Sequence, residues 1–144
     1  MKKKVIISAC LLGEYCRYDG KTKSVAAVID KFKDYEIIPF CPEAPVFGTP
    51  RERINVVLKD GFKRIITDET SIDVTQKLQN EIDLFIKHHP IADEIVLKSK
   101  SPSCGLGTTP ILDENKNILE YGDGIAAQTF LSKYLKSNIN DESL

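Results

Sequence analysis

Nowhere in this chain do apolar residues run to the ~20 that a membrane-spanning helix needs, and Val5-Ile6-Ile7 behind the opening lysines is too short for a secretory h-region. The expectation is a protein that stays in a reducing cytoplasm. Charge of one sign is not in excess either: 20 Lys and Arg face 21 Asp and Glu, for a net charge of -1. That removes the broad electrostatic footprint of a nucleic-acid or membrane-surface protein and points to a small-molecule partner. Internal repeats and low-complexity segments are missing. So is any Cys-x2-Cys pair, the knuckle from which structural zinc sites are usually built.

What is present is the composition of one ordinary globular domain, 144 residues with 42% hydrophobic and 28% charged. Lys4 to Ser8, Glu36 to Phe40 and Glu94 to Lys98 read as core strands, with Pro39 marking an edge because it cannot donate to a ladder. Ser24 to Lys33 carries apolar residues at helical spacing behind Ser24 as N-cap. A second helix follows a capping box of Thr70 and Asp73, with Val74, Leu78, Ile82, Phe85 and Ile86 on one face. A third follows the turn Gly122-Asp123-Gly124, its apolar face running from Ile125 through Leu131 to Leu135.

Two short hairpins complete the pattern, one around Asp60-Gly61 and one between Pro110-Ile111-Leu112 and Asn117-Ile118-Leu119. Residues 41–53, rich in proline and glycine, form a long shaped loop. Strands alternating with helices require crossovers, so the fold class is α/β, a mainly parallel sheet flanked by helices with small antiparallel hairpin appendages. Residues 1–137 form a single domain and 138–144 a fraying tail.

Cys10, Cys16, Cys41 and Cys104 are poor candidates for disulfides in a reducing compartment. Cys10, Cys41 and Cys104 each follow the end of an expected strand, the edge where open parallel sheets bind ligands. Small buried hydrophobes are the plain reading of such thiols. The chemical reading is a soft-ligand site for zinc or an iron–sulfur cluster. His88 and His89 are neighbours at a helix end and point apart, so they read as solvated residues. Three scattered thiolates can hold a [4Fe-4S] cluster by three irons and leave the fourth open as a Lewis acid, whereas Cys16 as fourth ligand would make an electron carrier or sensor.

Ser8-Ala9-Cys10-Leu11-Leu12-Gly13, Arg17-Tyr18-Asp19-Gly20, Cys41-Pro42-Glu43, Thr49-Pro50-Arg51, Ser101-Pro102-Ser103-Cys104-Gly105 and Gly122-Asp123-Gly124 resemble, in order, the motifs of a bacterial family. Long known as a domain of unknown function, it has the thiouracil desulfidases as its characterised branch. The resemblance implies a TudS-like α/β domain in which Cys10, Cys41 and Cys104 bind a [4Fe-4S] cluster with one iron not held by protein. It implies a reaction that turns the C=S of a thiolated pyrimidine such as 2-thiouracil into C=O and releases sulfide. Glu43 and Ser101 are implied to act on the substrate.

The residues suit that chemistry. Glu43, two positions from Cys41 on a proline-pinned loop, can relay protons between water and the leaving group. Ser103 can hydrogen-bond the substrate or the cluster sulfurs, and Arg17 and Arg51, in the other two cysteine loops, bring positive charge to the substrate pocket. Lys98 and Lys100 read as solvated. A rival enzyme class is the low-molecular-weight phosphatase or arsenate reductase, because Arg17 follows Cys10 in one loop. Its cradle needs five intervening residues, and Leu11 to Cys16 supplies six.

Overall fold

Lys4–Ser8 forms β1, buried on both faces except at its first residue, as a central parallel strand requires. The computed structural model describes residues 2–12, 25–43 and 52–143. Beyond β1 the chain turns through a short 3-10 segment, Ala9–Leu12. The first helix α1, Ala26–Lys31, is shorter than its apolar spacing suggests, and Val25 occupies the N-cap without a side-chain cap bond. The expected cap Ser24 lies outside the described residues.

β2, Glu36–Phe40, pairs in parallel with β1, and Pro39 sits opposite Ile7 on what is the sheet's edge strand. β3, Ile54–Lys59, and β4, Phe62–Thr67, form the first hairpin. Asp60 and Gly61 both take positive φ, 52° and 81°, the geometry that a two-residue turn between twisted strands demands. Helix α2, Thr75–His88, begins later than the capping box would place it. Thr70 turns instead to Glu52 and Thr67, and Asp73 accepts the Thr75 N–H at 3.0 Å.

β5, Glu94–Leu97, lies on the other side of β1. β6, Thr109–Leu112, and β7, Ile118–Gly122, make the second hairpin. Helix α3, Ile125–Lys133, follows, and β8, Asn138–Asp141, pairs in parallel with β5. Residues 138–141 are therefore an edge strand where a fraying tail was expected. Ile139 alone gives the segment an apolar signal, and the ladder offered by β5 supplies the rest. Leu131 and Leu135 also depart from expectation, being 44% and 80% exposed because the helix ends at Lys133 and its inner face is Ala126, Ala127 and Phe130.

The first sheet has the order β2-β1-β5-β8 and is parallel throughout. Val5, Ile7 and Val96 face α1 through Val28 and Phe32, while Ile6, Ile95 and Leu97 face α2 and α3 through Ile82 and Phe130. Helices thus cover both faces. The two hairpins are more than appendages: β3 and β6 pair in parallel and join them into a second sheet of order β4-β3-β6-β7. Its inner residues Ile54, Val56, Ile65 and Ile111 pack on Val74 and Leu78 at the start of α2. One helix therefore packs against both sheets, with Leu78 in one core and Ile82 in the other. No helix among the described residues is long and apolar enough to cross a membrane.

Candidate functional site

Three neighbouring strands of the first sheet, β2, β1 and β5, run in one direction, so their carboxyl ends open on one edge. Each of them is followed by a cysteine. Cys41 comes directly after β2, Cys10 lies in the 3-10 turn after β1, and Cys104 sits in the segment after β5. None of the three forms a disulfide; Cys104 is buried and the other two are partly exposed. Burial pushes the Cys104 thiol well above its usual pKa, a hydrogen bond from the Ser8 side chain draws it down, and the negative charges of Glu43, Cys10 and Cys41 push it up again. Those influences put the three thiols and Glu43 in one neighbourhood.

Thiols gathered beside a carboxylate offer soft donors to a metal centre. Among the described residues, no three of His, Cys, Asp or Glu stand close enough to share a single metal ion. A cluster makes a different demand, since each thiolate takes a separate iron, and all three donors are soft. The donor set therefore fits a cluster held at three corners. His88 is exposed, and the His89 ring stacks on Phe85 at 4.7 Å, so neither joins the thiols. Cys16, Arg17 and Arg51 lie outside the described residues.

The segment carrying Cys104 is shaped by its serines. Ser101 Oγ accepts the N–H groups of Ser103 at 3.2 Å and Cys104 at 3.1 Å, and its carbonyl accepts the Thr109 hydroxyl at 2.6 Å. Ser101, expected to act on the substrate, thus builds the turn, with its oxygen occupied by two backbone donors. Ser103 is fully buried and donates its hydroxyl to Glu43 Oε2 at 2.7 Å, while its carbonyl accepts the Ala126 N–H at 2.7 Å. Its hydroxyl proton is committed to the carboxylate. The start of α3 presses close here: a Cβ on Gly124 would stand 2.5 Å from the Ser103 carbonyl carbon, so only glycine fits.

A pocket of about 260 Å³ opens beside Glu43 and runs along the second sheet, lined among others by Arg53, Asn55, Lys100, Pro102 and Thr109. Glu43 belongs both to this pocket and to the thiol group. Sequence reasoning missed Arg53, Asn55 and Thr109. Asn55 offered a signal, as the lone polar residue within the apolar run of β3. Lys98, expected in solvent, is instead only 15% exposed in an ion pair with Glu142 at 3.1 Å. Lys100 is exposed at the pocket's edge.

Known proteins share this architecture. The solved structure of the [4Fe-4S]-dependent thiouracil desulfidase TudS superposes with a TM-score of 0.71 at 28% identity, over 99% of this chain and 92% of that one. The uncharacterized protein YbbK of Bacillus subtilis strain 168 is 29% identical over 112 residues, which is 72% of this chain and 74% of YbbK. Residues 5–142 match the 2-thiouracil desulfurase family, a span that takes in both sheets, Cys10, Cys41, Cys104 and Glu43, and the chain belongs to that family.

Proposed function

We propose that this protein is a desulfidase that converts the C=S of a thiolated pyrimidine such as 2-thiouracil to C=O. The balance is hydrolytic: one water enters, one hydrogen sulfide leaves, and no electrons are exchanged. Cys10, Cys41 and Cys104 would hold a [4Fe-4S] cluster. When bound, that group supplies a Lewis-acidic iron with an affinity for soft sulfur. Its presence here is supported by the family membership, by the TudS structure and by the fit of three soft donors at one sheet edge.

The chain's own contribution centres on Glu43. One carboxylate oxygen, Oε2, is held by the Ser103 hydroxyl, and this orients the group within the pocket. A carboxylate so placed can take a proton from the attacking water and return one to the departing sulfur. Arg53 and Lys100 at the pocket walls offer donors to the carbonyl edge of a pyrimidine. The Ser101 hydroxyl, Arg17 and Arg51 are further candidate groups for the substrate.

The observation that carries this reading is the double membership of Glu43, which faces the thiols and the pocket at once. Anaerobic reconstitution with iron and sulfide, followed by incubation with 2-thiouracil, tests it. One sulfide released per uracil formed is the expected result. A protein that takes up the cluster and leaves 2-thiouracil and other thiolated pyrimidines untouched would overturn it.

A further inference from the structure

We propose that Glu142 is a positioning residue for the site: its carboxylate fastens Ser99, just beyond the end of β5, and so fixes the left-handed turn at Lys100 that leads into Ser101 and Cys104. The proposal rests on the desulfidase reading above for what Ser101 and Cys104 do, and adds a residue from the far end of the chain that acts through them.

β8 runs parallel to β5 with Asp141 opposite Leu97, so the next residue of each, Glu142 and Lys98, leaves the sheet on the same edge. One carboxylate oxygen of Glu142, Oε1, accepts the Ser99 N–H at 2.7 Å. The other, Oε2, accepts the Ser99 hydroxyl at 3.0 Å and meets Lys98 Nζ at 3.1 Å. Lys98 Nζ closes the ring by donating to the Ser99 carbonyl at 2.7 Å. The Lys98 and Glu142 side chains are 15% and 17% exposed, so water competes little for a carboxylate already taken up by these donors.

This grip precedes a strained turn. Lys100 has a φ of 63°, a conformation that residues with a β-carbon resist and that persists only where the surroundings over-determine it. Glu142 holds the residue before it, and Thr108 Oγ1 accepts the Lys100 N–H itself at 2.8 Å. Further on, other partners take over. Ser103 donates to Glu43, and the Gly124 and Ala126 N–H groups at the start of α3 donate to the carbonyls of Gly105 and Ser103. At the entry, Ser8 Oγ accepts the Lys98 N–H at 2.9 Å, and Glu142 takes the N–H that follows. Glu142 is thus the charged anchor where the segment departs from the sheet, and without it the turn can relax and carry Ser101 and Cys104 with it.

Amide hydrogen exchange on the full metal-free chain tests the grip, and kinetics after reconstitution test its use. Glu142→Ala should speed exchange across residues 99–105 by about tenfold or more relative to the buried middle of α2. Glu142→Gln, which keeps an oxygen for the Ser99 N–H, should do so less. Adding Lys100→Asn, a residue tolerant of positive φ, to Glu142→Ala should recover part of the lost protection. With 2-thiouracil, Glu142→Ala should lower kcat per bound cluster by about tenfold with KM little changed. Exchange that rises equally throughout the chain, a double variant no better protected than Glu142→Ala, or wild-type kcat per cluster in Glu142→Ala would each overturn the proposal. A wild type that binds a cluster and leaves thiolated pyrimidines untouched would instead overturn the desulfidase reading, while exchange still decides whether Glu142 holds the turn.

Discussion

The two sheets divide the labour. The first is parallel, covered by helices on both faces, and followed at three adjacent strand ends by a cysteine. The second is a pair of hairpins joined by one parallel contact, and its strands give no cysteine but instead line the pocket with Asn55 and Thr109. A parallel sheet points every strand's carboxyl end at one edge, so residues distant in sequence can surround one object. Hairpins return the chain on itself and make walls. Glu43 and the segment from Lys100 to Thr109 border both regions, and there chemistry meets shape.

That division can be broken most severely from the cysteine edge. Cys10→Ser, Cys41→Ser or Cys104→Ser should each abolish turnover and leave little iron after anaerobic gel filtration, whereas Cys16→Ser should retain the cluster. A Cys16→Ser protein without a cluster would replace the open-iron enzyme with a four-cysteine carrier. At the border, Glu43→Gln should lower turnover by about 10²–10⁴-fold with an unchanged cluster spectrum. Ser103→Ala, which removes the hydroxyl donated to Glu43 Oε2, should cost about 10–100-fold, read as kcat with KM little altered.

Gly124→Ala sharpens the comparison by pressing α3 away from the Cys104 segment. A loss of about 1–3 kcal/mol in chemical denaturation is expected, together with slower cluster uptake. The smallest effect concerns Glu142. Burial raises its pKa, but the Ser99 N–H, the backbone N–H of Glu142 itself and Lys98 outweigh this and leave it below the usual 4.5. A lowered folded-state value means that the stabilisation is full above 4.5 and disappears as pH falls through that lower value. Glu142→Gln should therefore cost on the order of 1 kcal/mol at neutral pH and almost nothing in strong acid, as followed by thermal melts.

What could be read in advance follows the range of the forces involved. β1, β2, β5 and the Asp60-Gly61 turn announce themselves by local signals, a β-branched run or a dipeptide that tolerates positive φ. The placement of Cys10, Cys41 and Cys104 beyond three strand ends was legible because those strands were. β8 was not, since Asn138–Asp141 has little pattern of its own and becomes a strand through its neighbour β5. The Thr70 cap failed for a related reason: Glu52, 18 residues earlier, binds its hydroxyl and N–H. The Ser103 to Glu43 bond spans 60 residues, and only the folded chain brings the two together.

The spread of the thiols along the chain also bears on manufacture. At ribosomal speeds of about 5–20 residues per second, Cys10 and Cys41 emerge several seconds before Cys104. Cys104 comes to the same sheet edge as the other two only when β5 docks against β1. Until then the chain offers two of the three thiols proposed to hold a cluster, so on that proposal assembly of the centre waits for a chain folded through β5.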